Sequence, residues 1–301
     1  MMRMGYHDAV LLNESVNGLN INPDGIYVDV TFGGAGHSKE ILKCLKGGKL
    51  FAFDQDTNAN NNIIKKENFK LLNTNFRNIK NFLRIERVSE IDGLLADLGV
   101  SSHQFDVPKR GFSTRFPGPL DMRMNLNAEL DAKYIINNYS QEELANIFFE
   151  YGELRESRRI AKAIVSFRKE NQISTTNQLL DCIQHLSIDR KRNQFFSRVF
   201  QAIRIQVNDE IQALKEMLNA TTDLLKVGGR LSVISYHSLE DRLVKNLIKK
   251  GNIEGNLKKD FYGNPQKCFK EISKKVIVPS EKEIKNNPRA RSAKLRIAEK
   301  I

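Results

Sequence analysis

The sequence predicts an α/β fold in which a doubly wound parallel sheet is interrupted after its fourth strand by a helical insert. Strand and helix signals alternate between residues 26 and 97, as in successive βαβ units. Between residues 131 and 226, apolar residues instead recur at intervals of three and four, which indicates amphipathic helices. A strand signal returns at residues 229–235. The sheet is therefore expected from two separate parts of the chain, with the insert between them.

The first predicted strand leads into a glycine-rich turn. Residues 27–38 are Tyr-Val-Asp-Val-Thr-Phe-Gly-Gly-Ala-Gly-His-Ser, an apolar run containing Asp29, then the glycines, then a predicted helix. This layout is typical of a nucleotide-cofactor site at the carboxyl end of a parallel strand. The glycine spacing differs from that of dinucleotide sites, and Asp29 suits a ligand with a positively charged amino-acid moiety, such as S-adenosylmethionine. The alternative is a tight turn that binds no ligand.

The second and third predicted strands end beside further candidate cofactor residues. Residues 49–55 form an apolar strand that ends at Asp54, about 20 residues after the glycine turn, where a carboxylate commonly accepts hydrogen bonds from ribose hydroxyls. Asp56 is an alternative for that role. The third strand, residues 69–75, precedes Phe76, whose ring either lies against an adenine or belongs to the core.

The fourth predicted strand ends in the residues best suited to chemistry. Residues 91–97 end at Asp97, and a glycine and the hydroxyls of Ser101 and Ser102 follow. The carboxyl ends of parallel strands meet at one edge of a sheet, which is where such sheets bind ligands. Acidic residues at three strand ends therefore predict a single site at that edge.

Turn and cap signals delimit the rest of the chain. Residues 108–123 contain three prolines and two glycines, which excludes regular structure. Ser140 followed by Glu143 predicts a helix that begins with a capping box. Residues 274–279 and 293–298 are apolar enough to predict two late strands that form an antiparallel closing pair.

Composition and charge narrow the class of protein. The chain has 48 Lys and Arg against 36 Asp and Glu, a net charge of +12, and basic clusters at 155–169, 190–192 and 285–296, which favours a nucleic-acid partner. Isolated cysteines and scattered histidines show no metal-ligand spacing and indicate a reducing compartment. No apolar run is long enough to span a bilayer, and the first residues lack the apolar centre of a signal peptide. We therefore expect a cytoplasmic protein with no bound metal.

Distinctive blocks of sequence, in a fixed order, are spread along nearly the whole chain. They comprise residues 7–16, 29–38, 92–102, 110–113, 118–124, 200–208, 235–242 and 287–292. In these blocks the chain resembles the ribosomal RNA small subunit methyltransferase H family, also called MraW. The resemblance implies methyl transfer from S-adenosyl-L-methionine to the exocyclic N4 of a cytidine in 16S rRNA, at the decoding centre of the small ribosomal subunit.

The same resemblance implies a fold and a set of site residues. It implies a class I, Rossmann-like methyltransferase fold, with residues 1–108 and 207–301 forming the methyltransferase domain. Residues 109–206 are then an all-helical insert that recognises RNA. Two departures from the family pattern are Ala35, where glycine is usual, and His103, where proline is usual; Pro117 also stands where an acidic residue is common. The implied cofactor-binding residues are Ala35, Gly36, His37, Asp54, Phe76, Asp97 and Gln104.

The implied reaction needs few catalytic groups. The lone pair of a cytosine amine is delocalised into the ring, so the enzyme must align N4 with the sulfonium methyl and accept a hydrogen bond from the amine. Asp97 is the candidate acceptor, with Ser101 and Ser102 as helpers, unless it serves only the cofactor. His237 is either a proton donor or acceptor near the base or a residue that starts a helix, and Tyr236 is placed to stack on an unpaired base.

Two other functions are open alternatives. A DNA N4-cytosine methyltransferase is disfavoured because the chain lacks the Ser/Asp-Pro-Pro-Tyr type of motif. A non-catalytic nucleic-acid-binding module is disfavoured because Asp29, Asp54 and Asp97 are all present. Whether the protein forms a homodimer is left open by the sequence.

Overall fold

The computed structural model describes residues 9–273 and 275–301, apart from the side chain of Ser102. The strands are β1 (Ile26–Asp29), β2 (Lys49–Phe53), β3 (Phe69–Leu72), β4 (Ile91–Asp97), β5 (Leu225–Ser235), β6 (Phe269–Glu271) and β7 (Lys294–Lys300). The α-helices are α1 (Leu12–Gly18), α2 (Gly36–Cys44), α3 (Ile79–Ile85), α4 (Ser102–Asp106), α5 (Ala132–Asn138), α6 (Gln141–Glu150), α7 (Ser157–Phe167), α8 (Thr176–Ile183), α9 (Arg192–Asn208), α10 (Glu210–Leu224), α11 (Ser238–Lys250) and α12 (Glu281–Asn286).

The chain folds as two compact units. The first comprises the chain up to Gly99 and from Ile211 onward, and the second comprises Val100–Glu210. The predicted insert, residues 109–206, lies within the second unit. Residues 100–108 and 207–210, assigned by sequence to the methyltransferase part, belong to the second unit as well. Within the described residues, every helix is too short or too polar to cross a membrane.

The first unit is built on one seven-stranded sheet with the order β3-β2-β1-β4-β5-β7-β6. Strands β1 to β5 run parallel to one another, whereas β7 runs antiparallel to β5, and β6 runs antiparallel to β7. The order reverses between β1 and β4, which are neighbours, so the sheet is doubly wound as predicted. This topology confirms the class I, Rossmann-like fold.

Alternate side chains of the central strands enter different cores on the two faces of the sheet. Val28 and Leu94 pack in a cluster with residues of α3, α10 and α11. Their neighbours Tyr27 and Leu95 pack with residues of α1 and α2. Burial on both faces explains why these strands are almost continuously apolar in sequence.

The second unit has a single apolar core to which α5, α6, α7, α8 and α9 all contribute. The predicted capping box is confirmed, since the Ser140 side chain accepts from the backbone of Glu143, whose side chain accepts from the backbone of Ser140. Arg168 is half-buried and donates to the carbonyl oxygens of Ile136 and Tyr139, both at 2.6 Å. This arginine of the first basic cluster therefore has a structural role.

The predicted closing pair of strands is wrong in its first member. Ile277 forms a single antiparallel bridge with Leu295, and Lys274 lies outside the described residues. The strand that pairs with β7 is instead β6, anchored by Phe269, which is 1% exposed. One buried aromatic residue among charged neighbours carries no strand periodicity, so the sequence pattern missed it. The second member of the pair is confirmed as β7.

Candidate functional site

The glycine turn between β1 and α2 is held in an unusual backbone conformation. Ala35, the residue before α2, has φ 66° and ψ 14°, in the left-handed region that costs an L-residue about 1–2 kcal/mol. Its methyl group is fully buried against Phe32, Ala52 and Ala59. A Cβ at the next residue, Gly36, would lie 2.7 Å from Cβ of Ala9, so the close approach there requires glycine. Burial of the Ala35 methyl therefore offsets the strain where the family usually has glycine.

Asp29 stabilises this turn from within. It is 1% exposed, and its carboxylate accepts hydrogen bonds from the backbone of Thr31 at 3.0 Å and from the hydroxyl of Ser38 at 2.6 Å. A carboxylate so buried and so engaged holds the turn in shape. These hydrogen bonds give Asp29 a structural role, and its contact with the charged moiety of a ligand stays a prediction.

Asp54, just beyond the end of β2, links the glycine turn to the second strand. Its Oδ2 accepts from the backbone of Gly33 at 2.8 Å, and its Oδ1 accepts from the backbone of Asp56 at 2.8 Å. Burial raises the pKa of Asp54 to about 6, against the opposing effect of these two hydrogen bonds. Each carboxylate oxygen can accept more than one hydrogen bond, so the geometry suits the ribose role predicted for Asp54.

The carboxylate of Asp56 accepts a different set of hydrogen bonds from that of Asp54. It is 5% exposed, and its Oδ1 accepts from both the backbone and the side-chain amide of Asn58, each at 3.0 Å. This carboxylate begins the short 3₁₀ helix that follows β2. Its buried capping role favours Asp54 over Asp56 as the ribose-binding residue.

Asp97, at the end of β4, is contacted from two other segments of the first unit. Its Oδ1 accepts from the hydroxyl of Tyr236 at 2.7 Å, and its backbone N–H donates to Oγ1 of Thr31 at 2.6 Å. Its side chain is 22% exposed to solvent. Burial raises the pKa of Asp97 to about 6, while the charge of His37 and the Tyr236 hydrogen bond oppose that rise. Asp97 is thus oriented by the protein and still partly open to solvent.

His37, in the first turn of α2, lies on the other side of Asp97. Its Nε2 is 3.1 Å from the carbonyl oxygen of Val10, and a carbonyl can only accept, so Nε2 carries a proton. Its Nδ1 lies 3.8 Å from Oδ2 of Asp97, beyond hydrogen-bond distance. The ring is 4% exposed, which places it as a wall of the site beside the carboxylate.

His237 starts helix α11. Its Nδ1 accepts from the backbone of Glu240 at 3.4 Å, and its Nε2 lies 3.2 Å from Oε1 of the same residue. Oε2 of Glu240 in turn accepts from the backbone of Tyr236 at 2.8 Å. Nδ1 of His237 therefore caps α11, which supports the helix-start interpretation, whereas its buried Nε2 lies near Oε1 of Glu240 without forming a hydrogen bond. Its catalytic role stays a prediction.

The remaining predicted site residues occupy structural positions. Phe76 begins a 3₁₀ turn after β3 and packs partly buried against the core, so its contact with adenine stays a prediction. Ser101 and Gln104 belong to the second unit, where they form the capping box of α4. Ser101 Oγ accepts from the Gln104 backbone at 3.3 Å, and Gln104 Oε1 accepts from the Ser101 backbone at 3.1 Å. Ser102, between them, is the first residue of α4.

Sequence reasoning missed the contact between Tyr236 and Asp97. The Tyr236 hydroxyl donates to this carboxylate, and burial raises the pKa of Tyr236 well above the usual range; its stacking on a base stays a prediction. It also missed Glu240, which is buried and holds the segment after β5. Tyr236 and Glu240 both lie in the sequence block 235–242, and the resemblance of that block to the family was the signal that could have identified them.

Comparison with known proteins identifies the family. The sequence profile of the MraW methylase family matches residues 4–301. The chain is 57% identical over 296 residues to the Ribosomal RNA small subunit methyltransferase H of Bacteroides thetaiotaomicron, covering 98% of this chain and 97% of that protein. It is 56% identical over 299 residues to the protein of the same name from Flavobacterium johnsoniae, covering 99% of each.

Among solved structures, a Streptococcus thermophilus rRNA methylase superimposes with a TM-score of 0.44 at 13% identity, over 100% of this chain and 99% of that one. The family match confirms S-adenosyl-L-methionine as the cofactor. Because these matches cover nearly its whole length, the chain belongs to the MraW methylase family.

Proposed function

We propose that this protein transfers the methyl group of S-adenosyl-L-methionine to the exocyclic N4 of a cytidine in 16S rRNA, at the decoding centre of the small ribosomal subunit. The observation that carries the proposal is Asp97, an oriented and partly exposed carboxylate at the end of β4, beside the glycine turn. The names of the relatives support ribosomal RNA of the small subunit as the substrate class. Such a substrate is consistent with a cytoplasmic enzyme.

Asp97 suits the electrostatic demand of methyl transfer to an amine. As N4 attacks the methyl group, positive charge develops on the nitrogen, and an ionised acceptor held in place stabilises it. Tyr236 orients Oδ1 of Asp97, while Oδ2 lies on the side of His37. With the pKa of Asp97 raised to about 6, the carboxylate is mostly ionised at pH 7. Ser101 and Ser102 remain proposed helpers and His237 the alternative proton acceptor.

The assignment of the cofactor-binding residues starts from the same edge of the sheet. We assign Ala35, Gly36 and His37 to the turn that the cofactor meets and Asp54 to its ribose hydroxyls, because these groups lie at the carboxyl ends of β1 and β2. Phe76 is assigned to the adenine and Gln104 to the remaining cofactor contacts, both on the strength of the family resemblance.

The helical insert, residues 109–206, is proposed to recognise RNA. Arg190 and Lys191 are exposed in the turn before α9, whereas the neighbouring Arg192 pairs with Asp189. Arg168 is used inside the second unit, as described above. Exposed cations without a structural task are the ones expected to contact phosphates.

Transfer of radiolabelled methyl groups tests the function. Labelled S-adenosylmethionine is supplied with small-subunit particles, naked 16S rRNA or DNA, and mass spectrometry of the RNA fragments locates the product. We expect N4-methylcytidine in 16S rRNA. Label in DNA would support the DNA enzyme, and no transfer to any substrate would support a binding module without catalysis.

A pair of charge variants tests the insert. Replacing Arg190 and Lys191 by alanine should weaken RNA binding and reduce the dependence of log Kd on log salt by about 0.7–0.9 per lost phosphate contact. Cofactor affinity should stay unchanged. The matched control replaces Lys65 and Lys66, two exposed lysines of the first unit, and removes the same charge. Equal salt dependence in both variants would contradict the assignment.

A further inference from the structure

A tight turn in the first unit presents two adjacent aromatic side chains to solvent. Phe261 is 98% exposed and Tyr262 is 86% exposed. Their ring centroids are 5.6 Å apart, with the ring planes at 88° to each other. Large apolar side chains exposed side by side are unusual on a protein surface and often mark a binding site. We call these two residues the aromatic tip.

The turn that carries the aromatic tip is preorganised by its own hydrogen bonds. The backbone of Gly263 donates to the carbonyl oxygen of Asp260 at 3.0 Å, and the backbone of Asp260 donates to the carbonyl oxygen of Asn264 at 2.9 Å. Gly263 has φ 85°, the left-handed conformation that closes such hairpin turns. The two aromatic residues therefore occupy the central positions of the turn and project from it.

The carboxylate of Asp260 fixes the turn further. Its Oδ1 accepts from the backbone of Tyr262 at 2.9 Å and from the backbone of Asn264 at 2.8 Å, and its Oδ2 accepts from the Asn264 side chain at 3.1 Å. The hydrogen bond from the Asn264 backbone lowers the pKa of Asp260, which keeps the carboxylate ionised. A turn whose backbone is already ordered loses less conformational entropy when it binds.

The flanks of the turn are basic. Lys258 and Lys259 precede the aromatic tip, Lys267 follows it, and all three are exposed. The two flanks run antiparallel, joined by a bridge between Lys259 and Pro265 and by a hydrogen bond of 2.9 Å from the backbone of Gln266 to the carbonyl oxygen of Lys258. Between residues 256 and 267 the acidic side chain is Asp260, which is engaged in the turn.

We propose that the aromatic tip stacks on unpaired bases of the RNA substrate, with Lys258, Lys259 and Lys267 contacting its phosphates. Aromatic rings beside cations are the combination by which proteins bind single-stranded nucleic acid without reading its sequence. The proposal rests on the proposed function, because that function supplies the RNA. An apolar protein partner or a second copy of the chain fits less well, because exposed lysines flank the rings where an apolar interface would bury charge.

Tryptophan fluorescence tests stacking directly. The chain contains no tryptophan, so Phe261→Trp introduces a unique fluorophore at the aromatic tip. Titration with single-stranded oligouridine should quench its emission, and an RNA duplex of the same length, whose bases are already stacked, should quench it much less. Unchanged emission while fluorescence anisotropy of labelled oligouridine shows saturated binding would overturn the proposal.

Side-chain variants separate stacking from general apolar contact. Phe261→Ala and Tyr262→Ala should each weaken oligouridine binding about ten-fold, equivalent to about 1.4 kcal/mol. Tyr262→Phe, which keeps the ring, should bind normally. Phe261→Leu combined with Tyr262→Leu keeps apolar surface without a ring face, so retained affinity in that variant would contradict stacking. The side chains are almost fully exposed, and an unchanged Tm verifies that the variants fold.

The salt dependence of RNA binding distinguishes the contribution of the rings from that of the lysines. Replacing Lys258 and Lys259 by alanine should lower the salt slope of binding, whereas replacing the two rings should lower affinity at every salt concentration and leave the slope unchanged. Self-association of the wild type that disappears in the ring variants, with RNA affinity unchanged, would identify a second copy as the occupant instead. All these measurements are made without cofactor, so they remain informative if methylation proves to occur at another atom or on another nucleic acid.

Discussion

Replacing Asp97 by asparagine should make the protein more stable and less active. Burial raises the pKa of Asp97 from its ordinary 3.8 to about 6, so the ionised carboxylate is unfavourable in the folded state. From roughly pH 4 to pH 6 the folded chain holds a proton that the unfolded chain has released. Stability attributable to this group therefore falls as the pH rises through that window, by about 3 kcal/mol in total.

Asparagine has nearly the same shape and carries no charge. Its side-chain oxygen can still accept from the Tyr236 hydroxyl, which lies 2.7 Å from Oδ1 in the native protein. We therefore expect Asp97→Asn to raise the free energy of unfolding at pH 7 by up to about 3 kcal/mol. If Asp97 stabilises the charge that develops on N4, methyl transfer at saturating cofactor and RNA should fall by roughly 10²–10³.

Two assays check these opposite effects. Chemical denaturation at several pH values measures stability, and single-turnover methyl transfer measures chemistry separately from product release. The control is Asp223→Asn, because the hydrogen bond from Lys80 lowers the pKa of Asp223 and its ionised form is favoured. That control should show no gain in stability. An Asp97→Asn protein without a gain that grows between pH 4 and 6, or with a near-normal rate, would refute this account of the site.

Three further predictions test neighbouring parts of the site. Asp54→Ala should weaken S-adenosylmethionine binding in calorimetry by about 1.5–3 kcal/mol, whereas a larger loss in Asp56→Ala would reverse the ribose assignment. Tyr236→Phe removes a hydrogen bond that lowers the pKa of Asp97, so the acidic limb of the single-turnover pH profile should move to higher pH; an unmoved limb would contradict this. Ala35→Gly should change unfolding free energy by no more than about 1 kcal/mol, since relief of left-handed strain opposes loss of a buried methyl.

Much of the sheet was predictable because its strands are locally encoded. Strands β2 and β4 are largely buried on both faces and form apolar runs, so they were placed within two residues of their observed ends. Asp54 and Asp97 were found because the residues that follow such strands meet at one edge. The antiparallel edge strand β6 was missed, because three residues anchored by the single buried Phe269 carry no recognisable period.

The sequence did not predict in the same way which charged side chains are buried and which form hydrogen bonds or ion pairs. Asp29, Asp54 and Asp56 look equivalent in sequence, but Asp29 and Asp56 are buried in hydrogen bonds that shape their own loops. The basic clusters likewise looked uniform, although Arg296 pairs with Asp241 at 2.7 Å and Arg168 binds carbonyl groups. The partners of these two arginines lie far along the chain, where a local pattern does not reveal them.

The contact that defines Asp97 shows why the site depends on the whole first unit. Tyr236 is 139 residues from Asp97 in sequence, and the second unit is inserted between them. The two residues meet because β4 and β5 are hydrogen-bonded neighbours, with Asp97 paired to Ile234. Thr31, on the other side, reaches the Asp97 backbone from 66 residues away. Because contacts at such separations form only after long loops close, the oriented carboxylate exists only once both parts of the discontinuous sheet have paired. Cofactor binding that depends on Asp97 therefore reports on the completed sheet rather than on either part of it.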